Sequence, residues 1–291
     1  MQEKKICKIG NIEVENGIFL APMEGVTDIP FRVMCRKYGA DIVYSEFVCS
    51  EALIRDISRS IEKIQIVEEE RPVAVQIFGS NPEAMAVSAK MAEEAGADIL
   101  DINYGCWVKK VVNHNAGAAL LKDPELMTAI TKACVDAVKI PVTVKTRLGW
   151  DKNSINICDI AKMQEQAGAQ AITVHCRTRE MGMSGQADWS YIPEIKKEIN
   201  IPLILNGDIT DPYKCAEAMA VEGADAVMIG RACVGNIFLF RDSHLVINGE
   251  ELPEKVVAEE RFAACKEHLL LNIQHKGDKR GITEFRKYYS G

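Results

Sequence analysis

Gly-Ala-Asp, or a close variant of it, occurs four times along the 291-residue chain. The copies are Gly39-Ala40-Asp41, Gly96-Ala97-Asp98, Gly168-Ala169-Gln170 and Gly223-Ala224-Asp225. Each runs straight into a short apolar stretch, at residues 42–44, 99–102, 171–174 and 226–229. A second set is entered through proline: Pro72 before 73–77, Pro141 before 142–145 and Pro202 before 203–205. Residues 18–20 open the series. These eight runs are short, rich in β-branched residues and mostly unalternating, as strands buried on both faces are. Glycine closes a helix by taking the left-handed conformation at its end. Proline stops a helix and is tolerated at the first residue of a strand.

Amphipathic segments lie between the runs. Residues 82–94 and 124–138 read as helices, the second with Asp123 as cap and Pro124 in the first turn, and Asp211-Pro212 repeats that start signal. Strand and helix thus alternate eight times between about residues 18 and 245, the size of a (β/α)8 TIM barrel. A doubly wound open sheet shares this periodicity. Residues 1–245 are assigned to the barrel and 246–291 to a C-terminal helical domain, which the pattern over 256–274 supports and which is expected to be truncated.

The ten cysteines include no C-x-x-C pair, and several sit in apolar runs. They read as reduced thiols in the core, pointing away from disulfides, a zinc site or an iron–sulfur cluster. No apolar run approaches the ~20 residues of a membrane span. The start, Met1-Gln2-Glu3-Lys4-Lys5, does not resemble a signal peptide. A cytoplasmic monomer without a metal is expected. The formal charge of −7 gives no bulk hint of nucleic acid. It is unevenly spread, however: residues 266–291 hold six basic and three acidic side chains. A solvated helical face would look the same.

In such a barrel the active site forms at the C-terminal ends of the strands. There the sequence places Pro22-Met23-Glu24, Gln76, Asp101 and Asn103, Lys145 and Arg147, His175 and Arg177, Asn206-Gly207-Asp208 and Gly230-Arg231. A lysine inside the apolar run Val144-Lys145-Thr146 is costly to bury without a partner, so Lys145 points to an anionic or electron-rich ligand. Gly207, Gly230 and Arg231 follow the last two strands, where barrels bind phosphate. Cys106 sits in a loop near Lys109 and Lys110, an electropositive setting that suits thiol chemistry. An inert thiol would fit the same spacing.

Six blocks together resemble the tRNA-dihydrouridine synthases of the bacterial, FMN-dependent type. They are Leu20-Ala-Pro-Met-Glu-Gly-Val-Thr-Asp-Ile-Pro-Phe-Arg32, Asp101-Ile-Asn-Tyr-Gly-Cys106, Val142-Thr-Val-Lys-Thr-Arg147, His175-Cys-Arg-Thr178, Asn206-Gly-Asp-Ile-Thr-Asp211 and Met228-Ile-Gly-Arg231. The resemblance implies an FMN-containing TIM barrel, a helical tRNA-binding domain and reduction of tRNA uridines with NADPH or NADH. It implies FMN contacts from Pro22, Met23, Glu24, Gln76, Lys145, His175, Asn206, Gly207, Asp208, Gly230 and Arg231. Cys106 becomes the proton donor, and Asn103 and Arg177 help to hold the uracil. Lys109, Lys110, Lys279, Arg280 and the rest of the basic tail would contact the RNA backbone. Trp107 stands where the family usually has proline, and the chain ends soon after Glu284-Phe-Arg-Lys-Tyr-Tyr289. Two other readings share much of this site: a flavin barrel acting on a free pyrimidine, and a flavin- or RNA-binding relative without catalysis.

Overall fold

The computed structural model describes residues 4–253 and 256–288. Met1, Gln2, Glu3 and Tyr289, used in the sequence reading, lie outside the described residues, as do 254, 255, 290 and 291. The strands are β1 Ile6–Ile9, β2 Ile12–Glu15, β3 Ile18–Leu20, β4 Val43–Tyr44, β5 Val48–Cys49, β6 Val73–Phe78, β7 Ile99–Asn103, β8 Val142–Arg147, β9 Ala171–His175, β10 Leu203–Asn206 and β11 Ala226–Ile229. The large sheet is parallel and runs β3-β11-β10-β9-β8-β7-β6-β4. A parallel bridge from Phe19 to Ile42 joins its two ends, with Leu20 N–H donating to Ile42 O at 2.9 Å and Asp41 N–H to Ile18 O at 2.9 Å. The sheet is therefore an eight-stranded barrel and not the open alternative. β5 is a two-residue extension that rejoins β6 after a break at Ser45-Glu46-Phe47.

The recurring Gly-Ala-Asp has a mechanical meaning. Gly39, Gly96, Gly168 and Gly223 all take φ between +86° and +103°, ending each helix in a conformation that favours glycine. The aspartate then reaches sideways to the start of a neighbouring strand. Asp41 accepts from Ile18 N–H at 2.7 Å, Asp98 from Val73 N–H at 2.8 Å and Asp225 from Leu203 N–H at 2.8 Å. Each also meets a basic side chain: His244 at 3.2 Å, Arg71 at 2.6 Å and Lys196 at 2.8 Å respectively. Three strand starts are thus tied at the bottom of the barrel by one motif.

Alternation along the strands divides the core in two. Outward residues pack against the helices in one large cluster. Inward residues, among them Phe19, Ile42, Tyr44, Ala74, Ile99, Ala171, Ile204, Ala226 and Met228, fill the lower barrel. The β1–β2 hairpin, absent from the sequence expectation, closes that end with Cys7 and Ile9. The upper inward positions are polar, and this is where the site lies.

Residues after the barrel form helices Ala258–Lys276 and Asp278–Phe285. The eighth barrel helix, Leu239–Ile247, spans the expected domain boundary at 245/246. The tail shares the outer core: Ala264, Phe285 and Tyr288 belong to the same cluster as Phe31. Phe31 stacks on Tyr288 with ring centroids 5.1 Å apart, and His268 packs edge-on against Phe285 at 5.0 Å. Burial pushes His268 down to about 4, with Lys276 and Lys287 adding to the shift and Asp28 opposing it. The docked ring stays neutral, whereas an unfolded one takes up a proton near pH 6.5. Its contribution is therefore full above pH 6.5 and falls as pH drops toward 4. The urea midpoint is expected to be lower at pH 5 than at pH 7, and His268→Gln to reduce that difference.

Candidate active site

The break after β4 and the loops after β3, β7, β9, β10 and β11 surround a cavity of about 680 Å³ at the top of the barrel. Its lining brings together Pro22, Met23, Glu24, Asn103, Cys106, Lys145, His175, Asn206, Gly207, Asp208, Gly230 and Arg231. Twelve residues expected from sequence thus converge from six strand ends. Phe47, Arg147, Met183 and Val234 also line it. Arg147 is already placed at its strand end by the sequence, without a role, and it stands two residues after Lys145 and so shares its inward face. The others sit in loops whose path no periodicity reveals.

Lys145 crosses the cavity floor and donates from Nζ to Asn206 Oδ1 at 3.0 Å. Asn206 is held in turn by Nδ2 donating to Met228 O at 2.8 Å. Burial, reinforced by Arg147, lowers Lys145 to about 8, while Asp101 opposes the shift. Asp101 lies wholly buried beneath, and burial raises it to about 7 against hydrogen bonds from Thr143 and Gln76 and the charge of Lys145. Burial, and then the charge of Arg177, brings Arg147 down to about 10. His175 is held well below its usual range by burial and by Arg147, Lys145, Arg177 and Arg231. Its Nε2 lies 3.2 Å from Arg177 Nη1. A guanidinium only donates, so Nε2 accepts, and the neutral ring carries its proton on Nδ1.

Cys106 stands on a loop fixed from three sides. Its N–H donates to Asn103 Oδ1 at 2.8 Å, and its carbonyl accepts from Ala118 N–H at 3.0 Å. Arg147 Nε donates to the preceding Gly105 O at 2.8 Å. Burial pushes the thiol up, outweighing the opposing pull of the Val108 amide, Arg147 and Lys145. Cys106 is therefore a thiol near neutral pH and holds a proton it can give. Trp107, beside it, is 41% exposed at the rim.

Four expected contacts fall elsewhere. Gln76 is fully buried below the floor, its amide paired with Asp101 and Asn103. Arg177 lies behind the wall and not over the cavity. Its Nη2 meets both Asp208 oxygens, at 2.6 and 2.7 Å, and the Gly185 carbonyl at 2.7 Å, while Nε donates to Ser184 O at 3.1 Å. Despite burial, those bonds and one from Ala187 N–H hold Asp208 below the usual carboxylate range. Arg177 thus orders the wall and is not among the residues that line the cavity. Lys109 and Lys110 occupy the exposed short helix Lys109–Val112, outside the cavity.

The basic tail is only partly open to a polyanion. Lys276 pairs with Asp28 and Glu284, and Arg280 with Glu62 and Glu284. Lys287 donates to the Gly25 carbonyl. These cations fasten the tail to the barrel. Among the described residues, Lys266, Lys279 and Arg286 have no ion pair. No group of three or more His, Cys, Asp or Glu among the described residues is placed to hold a metal. No helix among them is long and apolar enough to cross a membrane.

Fold and site together define a (β/α)8 barrel whose top face holds a cation-lined cavity with a protonated thiol at its edge. The family described as "Dihydrouridine synthase (Dus)" matches residues 19–291, and the chain belongs to that family. It is 43% identical over 285 residues to a "Probable tRNA-dihydrouridine synthase" of Rickettsia bellii, covering 97% of this chain and 87% of the relative. It is 43% identical to "tRNA-dihydrouridine synthase B" of Pseudomonas putida, covering 97% and 83%. Among solved structures, the old yellow enzyme homologue from Zymomonas mobilis superposes with a TM-score of 0.60 at 15% identity, covering 88% of this chain and 95% of that one. That likeness is one of fold.

Gly117 approaches the thiol loop closely. It takes φ +59°, and a Cβ there would lie 2.9 Å from Cys106 O and 3.1 Å from Cys106 Cβ. Gly117→Ala is expected to cost about 1–3 kcal/mol in a denaturant titration and to alter the alkylation rate of Cys106 followed by peptide mass spectrometry.

Proposed function

We propose that this chain is a tRNA-dihydrouridine synthase that reduces the C5–C6 double bond of particular uridines in tRNA, with FMN as resident cofactor and NADPH as the external reductant. The observation that carries the reading is Cys106, a buried and protonated thiol beside a cavity lined by Lys145, Arg147 and Arg231. The cavity fits the flavin chemically. Lys145 and Arg231 would suit the flavin's anionic and electron-rich edges, and Met23, Met228 and Val234 would suit its apolar ring surface. A Cβ on Gly230 would project between Ala21 Cβ at 3.7 Å and Met23 Sδ at 3.9 Å. Leaving that space open lets a ligand approach the backbone. In this reading the backbone at Gly207, Asp208 and Gly230, together with Arg231, would hold the phosphate end, and Pro22, Met23, Lys145, His175 and Asn206 the ring system.

When bound, FMN would supply the hydride chemistry directed at C6 of the uracil. The protein supplies the rest. Cys106 Sγ gives its proton to C5, so the ring gains one hydride and one proton across the former double bond. Lys145 would offer positive charge to an electron-rich edge of the bound cofactor. The target base lies in a folded RNA and must be drawn out of its stack to reach the cavity. Trp107 at the rim suits stacking of a neighbouring base, and Lys109 and Lys110 suit the phosphates around it. The barrel does the chemistry, and the helices after it, with Lys279 and Arg286 exposed, help to hold the RNA.

Purified protein is expected to be yellow, or to become so with FMN. Cys106→Ala should keep that colour and its bleaching by NADPH, yet lose about 10²–10⁴-fold in dihydrouridine formation, measured by mass spectrometry of digested tRNA. Wild-type turnover of free uracil or orotate but not tRNA would replace this reading with one of a free-pyrimidine enzyme. Bleaching without any dihydrouridine would point to a non-catalytic relative.

A further inference from the structure

Beneath the thiol loop runs a chain of hydrogen bonds with a direction. Asp101 Oδ1 accepts from Thr143 Oγ1 at 2.6 Å, and Oδ2 from Gln76 Nε2 at 2.6 Å. Gln76 Oε1 accepts from Asn103 Nδ2 at 2.8 Å. Asn103 Oδ1 accepts from the N–H groups of Gly105 and Cys106, at 3.0 and 2.8 Å. Asp101 and Gln76 are entirely buried, and Asn103 is nearly so, so no water can repair a wrong pairing at the base.

A primary amide has a donor end and an acceptor end, and either can face a given neighbour. A carboxylate removes that freedom because it only accepts. Facing Asp101, Gln76 must present its NH2, which turns its oxygen toward Asn103. Asn103 must then present its own NH2 downward, which turns its oxygen up to the two loop amides. We propose that Asp101 is a positioning residue which, through the amides of Gln76 and Asn103, sets the direction from which Cys106 delivers its proton. This rests on Cys106 as the proton donor. It also gives Gln76 a task below the cavity floor.

The relay needs an acceptor at the Asp101 position, not a charge. Protonation on Oδ1 leaves Oδ2 accepting from Gln76, since the Thr143 hydroxyl can accept as well as donate. Asparagine can do the same, because the loop N–H groups only donate and so keep the Asn103 and Gln76 amides turned the same way, which leaves an oxygen as the fitting group toward Gln76 and the Thr143 hydroxyl to accept from its NH2. Leucine, of similar size, cannot. Asp101→Asn therefore serves as the conservative rescue and Asp101→Leu as the break.

The test compares these two variants in the full-length protein, with thermal melting as a check on folding. The first readout is the rate of Cys106 alkylation by iodoacetamide as a function of pH, resolved from the other nine cysteines by peptide mass spectrometry. It requires neither cofactor nor tRNA. Asp101→Leu should change the rate and displace the pH profile, while Asp101→Asn should follow wild type. The second readout is turnover on tRNA, where Asp101→Leu should lower kcat about 100-fold, as a misplaced reacting group does, with bleaching by NADPH retained. An unchanged Cys106 profile in Asp101→Leu would overturn the proposal, as would equal losses in the Leu and Asn variants. Should Asp101→Leu not fold, Gln76→Met cuts the relay one link higher and is read in the same way. If wild type forms no dihydrouridine, the proposed function fails, and the alkylation profile still decides whether Asp101 orients the loop.

Discussion

Eight parallel strands closed in register direct every second side chain into one enclosed volume, and that volume has to be filled without leaving a polar group unpaired. The lower half is met with apolar side chains and sealed by Cys7 and Ile9. The upper half holds Gln76, Asp101, Asn103, Thr143, Lys145 and Asn206, all on the same inward phase of their strands. Such a set is tolerable only as a connected network, because isolated buried polar groups are expensive. Asp101 lies under Lys145, the Gln76 and Asn103 amides bridge between strands, and Asn206 receives the lysine. The chemistry at the top therefore depends on the packing rule at the bottom.

Much of this was legible because the local signals and the global closure agree. Glycine and proline at the strand entries marked each βα unit, and the strand ends collected the residues that line the cavity. The aspartate of Gly-Ala-Asp was visible as a repeat, but its work was not. Asp41, Asp98 and Asp225 reach strands more than twenty positions away in sequence, at Ile18, Val73 and Leu203. The third copy carries Gln170 in place of aspartate and keeps only the backbone bond, its N–H donating to Val142 O as those of Asp41, Asp98 and Asp225 donate to Ile18, Val73 and Leu203. The β1–β2 hairpin had a fair signal, alternating residues about Gly10-Asn11, and Gly10 does take φ +60°.

The misplacements share one physical origin. Residue type and position along a strand say which way a side chain sets out, but not which partner intercepts it. Arg177 looked free to reach substrate, yet Asp208 and the carbonyls of Ser184 and Gly185 surround it. Gln76 sits at the right strand but one layer too low, where Asp101 and Asn103 take both ends of its amide. Lys276 and Arg280 count as positive in any composition, yet each sits between carboxylates. Net charge over the tail thus overstates the cationic surface it offers.

Those same tail contacts reach the site itself. The loop that follows β3 carries Met23 and Glu24 into the cavity wall. Its next residues are gripped from the tail: Lys287 donates to Gly25 O, and Tyr288 Oη to Val26 O at 2.6 Å. Two residues on, Asp28 caps the helix Ile29–Lys37 through Phe31 N–H and pairs with Lys276. Four residues later Arg32, fully buried, bonds to Thr27 O at 2.8 Å and to the buried Glu70. A loop held by so many distant partners has little freedom of its own, so its position follows the docking of the tail. The tail therefore fastens the first wall of the cavity with its paired cations, and Lys266, Lys279 and Arg286 are the lysines and arginines of its described residues from 266 onward that stand outside an ion pair.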